Sequence, residues 1–127
     1  MIIALLFTLT ALASPPLWRS APLTDVAGIK AISDSPSGQR ATLAGGGIIR
    51  VHIADSVPAA EAAFAGERRT AATTWPHEPP AGLPGDQNAG DGEQMLLIRD
   101  RNAVIFVRDL GGDATAVTES IQRRLVD

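Results

Sequence analysis

Two histidines (His52 and His77), an Asp/Asn/Glu-rich run at 86–93, a glycine triplet and three arginines between 99 and 108 are the features of this chain that invite a chemical reading. A catalytic zinc site takes about three protein ligands and announces itself by His-x-x-x-His or His-Glu-x-x-His spacing; neither spacing occurs. Asp86-Gln87-Asn88-Ala89-Gly90-Asp91-Gly92-Glu93 matches a calcium loop at its first and third ligands, Asp86 and Asn88. Gly90 then fails the fifth position, Asp91 replaces the turn glycine, and Leu97 stands where a bidentate glutamate belongs, so a solvated turn is expected there. Gly45-Gly46-Gly47 leads into a strand, whereas a phosphate-binding loop leads into a helix whose first amides face the anion. No Gly-x-Ser-x-Gly elbow and no cysteine are present, which excludes the commonest serine hydrolase signature, thiolate metal sites and a cysteine nucleophile. The expectation is therefore no catalytic residue, no metal and no cofactor.

Charge narrows the partners. Eleven Lys and Arg against 14 Asp and Glu leave a net charge of −3, the wrong sign for a protein that displaces phosphate counterions from nucleic acid. Arg99, Arg101 and Arg108 have Asp100 and Asp109 beside them, which reads as a mixed, solvated edge.

The elements that must position these residues begin after residue 13. Met1–Ala13 is uncharged and almost wholly apolar, shorter than the roughly 20 residues that span a bilayer, and broken by Pro15-Pro16. Ala11-Leu12-Ala13 supplies small residues for cleavage before Ser14, although no Lys or Arg precedes the run. Residues 1–13 are read as a signal peptide, with an uncleaved anchor and a buried helix as alternatives. Residues 14–25 form an extended lead-in with Leu17 and Trp18 as docking points, and residues 26–127 one α+β domain.

Within that domain, residues 26–32 fit a strand or a short helix, 33–38 a turn and 39–43 a short strand. Ile49, Val51 and Ile53 share one face of a strand at 48–53, with Arg50 and His52 on the other. His52 is thus expected to be an exposed strand residue. Ser56 caps a helix that starts with Val57-Pro58 and buries Val57, Ala60 and Phe64 before fraying near Arg69. A long Pro/Gly-rich loop is expected over 70–93, carrying Trp75, His77 and Asp86. Residues 95–99 and 104–108 then form a hairpin around Arg101-Asn102, with Ile98 opposite Ile105, Leu96 opposite Val107, and Asn102 suited to a positive φ. A helix from Ala114 to about Val126 carries Val117, Ile121 and Leu125 on one face. The halves repeat as ββα–ββα, which predicts an antiparallel sheet of about four strands with both helices on one face.

The hairpin is apolar on both faces, with Leu96, Ile98, Ile105 and Val107 on one, and Met95, Leu97, Val104 and Phe106 on the other. A sheet covered by helices on one side only should be polar on the other. Either the lead-in or the 70–93 loop covers the second face, or another chain does. Met95, Leu97 and Phe106, flanked by Arg99 and Arg108, are the candidate surface for a protein partner or self-association.

Gly85-Asp86, a short polar stretch, a hairpin with the Arg99-x-x-Asn102 turn and a terminal helix, preceded by an Ala-rich helix at 59–65 after an early strand, resemble the small uncharacterised exported α+β modules of bacteria. The resemblance implies an α+β fold and export, and no catalytic residues. The resulting expectation is a periplasmic or secreted, non-catalytic binding or accessory protein, not an enzyme, with no membrane contact once the signal is removed. The alternative is a small enzyme or metal-dependent protein using the 75–93 loop.

Overall fold

The two continuous apolar runs at 95–98 and 104–107 become the central hairpin. Strands β5 (Met95–Asp100) and β6 (Ala103–Arg108) pair with Leu96 opposite Val107 and Ile98 opposite Ile105, the register expected from the sequence. The turn differs in one respect: Arg101, not Asn102, takes the positive φ, at 51°. Asn102 is used for something else, described below.

The computed structural model describes residues 16–23, 29–35, 38–43, 45–71, 85–91, 95–108 and 114–127. The expected signal peptide, its cleavage position, Trp75 and His77 lie outside these residues. Among the described residues, β1 (Ile29–Ser35), β2 (Gly38–Leu43), β3 (Ile48–Ile53) and β4 (Gln87–Asp91) join the hairpin in one antiparallel sheet. Its order is β1-β2-β3-β6-β5-β4. The fold class is α+β, but six strands replace the expected four or so, because each half contributes an additional outer strand. Strand β4 occupies part of the stretch expected to be a loop. Its Asn, Gly and Asp are poor strand formers, and what makes it extended is pairing with the free edge of β5.

The strand order reads the same from either edge, and a two-fold axis normal to the sheet would put both helices on one face. They lie on opposite faces. Helix α1 (Val57–Ala71) seats Ala60 and Phe64 against Ala89, Leu97 and Val104. Helix α2 (Ala114–Gln122) seats Ile121, with Val117 partly buried, against the other face, in a cluster with Ile49, Val51, Leu96, Ile105 and Val107. Both helices pack on β5 and β6. The hairpin is therefore sandwiched, which explains its apolar character on both faces.

Ser56 caps α1 as expected, its Oγ accepting from the Ala59 amide at 3.1 Å. Helix α2 stops earlier than its periodicity predicts. Val126 leaves the helical path to pair with Ser20, donating to the Ser20 carbonyl at 2.8 Å and accepting from the Arg19 amide at 2.6 Å. The lead-in thus packs as a short antiparallel partner of the C-terminal tail. Beyond that contact it buries Ala21 and Leu23 in the α2-side core, over the β2–β3 half of the sheet.

Gly38 at the start of β2 has a φ of 151°, and a Cβ there would collide with the Val51 carbonyl of the paired strand. Gly38→Ala is expected to lower the unfolding free energy by about 2 kcal/mol through local strain. Urea unfolding of the two proteins checks this, and equal midpoints would contradict the register of β2 on β3.

Candidate functional site

Among the described residues, α1 packs on β5 and β6 and no helix covers the β1–β3 half of its sheet face. Strand register fixes what that half presents. One row across the face runs Ser33, Arg40, Arg50, Phe106, Leu97, and the next places Gly38, His52 and Val104 side by side. Where this surface meets α1 lies a groove of about 820 Å³, within the size range of small-molecule sites. Leu97, Val104, Phe106 and Ala63 supply its apolar lining, and Arg40, Arg50, His52 and Glu67 much of its polar lining.

Arg50 is held at the centre. Its guanidinium lies 4.6 Å from the Phe106 ring centroid, a cation–π distance. Its Nη1 and Nη2 donate to the two carboxylate oxygens of Glu67 at 3.3 and 3.4 Å. Those are long contacts for a charge-assisted fork, which closes to about 2.7–2.9 Å when tight. Both side chains are 42% exposed, so the pair adds little to stability. Arg40 stands directly opposite Arg50 across the β2–β3 pair and has no ion pair among the described residues. A shallower depression joins Arg40, Arg50 and Phe106 to Ile48 and Arg108. Three guanidinium groups thus gather around one ring in a chain whose net charge is −3.

No protein-family model, curated protein or solved structure matches this chain.

The residues expected to form a partner surface are divided by the structure. Leu97 is fully buried in the core cluster that contains Phe64, so it is not available to a partner. Among the described residues, the cover over Leu97 and Val104 is α1. Met95 is half-buried on β5. Phe106 is half-buried and lines the groove, and Arg108 is exposed beside it. Arg99 is not a rim charge. It is 7% exposed, with Nε donating to Gln87 Oε1 at 2.6 Å and Nη1 donating to the Arg101 carbonyl at 2.9 Å and to Asp86 at 3.4 Å.

Asp86 likewise holds the hairpin turn, its Oδ2 accepting from the Arg101 amide at 2.8 Å. The expected solvated turn around it is instead the entry to β4, whose Ala89, Gly90 and Asp91 are buried. His52 is half-buried and lines the groove rather than standing exposed. Among the described residues no group of three or more His, Cys, Asp or Glu is placed to hold a metal ion, and no helix is long and apolar enough to cross a membrane.

Sequence reasoning missed Arg40 and Glu67 and saw Arg50 only as a neighbour of His52. One signal was present, because Arg50 and His52 alternate with Ile49, Val51 and Ile53. That alternation marks a strand with one uncovered face, the opposite of the hairpin's pattern.

Proposed function

We propose that this chain is an exported, non-catalytic binding or accessory protein, periplasmic or secreted, that holds its ligand in the groove beside α1. The observation that carries the reading is the β1–β3 half of the sheet, uncovered by any helix among the described residues, where Arg40 and Arg50 flank Phe106. Arginine stays protonated and presents donors only, so an arginine-dominated site recognises anions rather than exchanging protons. Export rests on the Met1–Ala13 pattern and on the resemblance to exported bacterial modules. The described lead-in is compatible with cleavage before Ser14. Its first tether is the Pro16 carbonyl, which accepts from Arg101 Nη1 at 3.0 Å, so a chain starting at Ser14 keeps it.

The test expresses the full chain in a bacterium. The product recovered from the envelope should begin at Ser14 by mass. Backbone amide resonances of Ser33, Arg40, Arg50 and Phe106 should then shift when a library of small organic fragments is added. A cytoplasmic product of full mass would overturn export. Fragment shifts clustered elsewhere, or absent, would overturn the groove as the binding site.

A further inference from the structure

Resting on that reading of the groove, we propose that its ligand is an amphipathic monocarboxylate, with the carboxylate between Arg40 and Arg50 and an apolar chain along Phe106 and Ala63.

The head group follows from charge and geometry. Arg40 and Arg50 are cross-strand neighbours, and like charges directly opposite one another in a sheet repel. An anion set between them turns that repulsion into two attractions. Arg50 already holds a carboxylate in the two-point manner its fork is shaped for, but at long distances and half-exposed. Glu67 is thus a loose occupant that a ligand carboxylate can displace or sit beside. Across the groove and the depression beside it, Arg40, Arg50 and Arg108 against Asp34 and Glu67 leave one net positive charge, which matches a single carboxylate better than a phosphate dianion. The chain's overall charge is negative, so this cationic spot is a local feature and not a general attraction for anions.

The body of the ligand follows from the lining. Phe106 is already stacked under Arg50, so an apolar chain leaving the head group continues directly onto an apolar floor. Ala63 forms the wall on α1, and the buried Val104 and Leu97 back the floor from beneath without meeting the ligand. Small side chains at Ala63 and Gly66 keep the wall low, with nothing within 4 Å of a Cβ placed on Gly66. A groove of about 820 Å³ accommodates an alkyl chain of medium length.

The probe is decanoate, titrated into the protein purified after full-chain expression and followed by amide shifts. Saturable 1:1 shifts at Arg40, Arg50, Phe106 and Ala63 are expected. Arg40→Gln, an exposed substitution, should weaken binding about tenfold without lowering the unfolding midpoint, since it relieves the repulsion with Arg50. Arg50→Gln should weaken it at least as much, and raised ionic strength should weaken binding to the wild type. Decanol binding as tightly as decanoate, or decyl phosphate binding more tightly, would overturn the carboxylate assignment while leaving the groove as the binding site. Shifts spread over exposed Leu17 and Val126 instead of the groove would mark non-specific adsorption and overturn the inference. No shift with any of the three, alongside a groove that does respond to fragments, would overturn the amphipathic ligand alone. No response to either would remove the groove reading as well.

Discussion

Phe64→Ala is expected to lower the free energy of unfolding by about 3–5 kcal/mol, the largest effect of any single truncation on the α1 side of the sheet. Phe64 is 2% exposed and is the only large side chain α1 commits to the core. The rest of that helix's contact is alanine, so nothing adjacent can collapse into the space an aromatic ring leaves behind. The loss combines the ring's transfer free energy with a cavity over Leu97 and Val104. Urea unfolding followed by far-ultraviolet circular dichroism measures it. Phe64→Leu should recover much of the loss by refilling the volume. A loss below about 1 kcal/mol for the alanine variant would mean that α1 is not seated on β5 and β6 in solution. Leu97 and Val104 would then be exposed.

Asn102→Asp is expected to cost about 3 kcal/mol, although it changes no shape. Asn102 is 1% exposed and joins three parts of the chain. Its Oδ1 accepts from the Trp18 amide at 2.7 Å, and its Nδ2 donates to the Trp18 carbonyl at 2.8 Å and the Ala54 carbonyl at 2.9 Å. Its own carbonyl accepts from the Ala54 amide at 2.8 Å. An aspartate keeps the first bond but turns a carboxylate oxygen towards two carbonyls. Both lose their donor, and the charge has no cation to replace it. The lead-in should loosen first, because Trp18 depends on this residue and on two weaker contacts. Those are Arg101 over its ring at 4.2 Å and Nε1 donating to Asp100 at 3.3 Å. Hydrogen exchange of the Trp18 and Ala54 amides, read beside the unfolding midpoint, checks both parts. Unchanged protection at Trp18 would contradict the tether.

Local pattern carried much of the fold. The hairpin register, the Ser56 cap and the inward face of β3 were all legible, because each depends on residues near in sequence or on a two-residue period. Strand β4 was not. Gln87–Asp91 has no strand-like composition and is extended only because β5 offers an open edge, a fact about a partner distant in the chain. The end of α2 was misjudged for the same reason. Leu125 continues the apolar periodicity, but the pairing of the next residue, Val126, with Ser20 takes the chain out of the helix.

The candidate site was legible only in pieces. The two-faced hairpin signals that something covers Leu97, but the sequence groups Leu97 and Phe106 as one candidate partner surface. The structure separates them, with Leu97 under α1 and Phe106 at the margin where α1 ends its cover. Arg99 and Asp86 read as surface charges in the sequence because charge alone does not reveal a buried hydrogen-bond partner. Gln87, which accepts from Arg99, is brought to it by the β4–β5 pairing.

Sequence by itself determined which face of β3 is apolar, that the hairpin is apolar on both faces, and that the chain is acidic and free of cysteine. Tertiary structure decided which helix covers which face. Two strand–helix halves are compatible with helices on the same face or on opposite faces, and only long-range packing distinguishes them. Opposite faces sandwich β5 and β6 and, among the described residues, leave β1–β3 without a helix beside α1. That placement brings Arg40, Arg50 and Phe106 together at the margin of a groove. No spacing along the chain encodes it, because Arg40 and Arg50 become neighbours only through the β2–β3 pairing and Phe106 joins them only across β3 and β6.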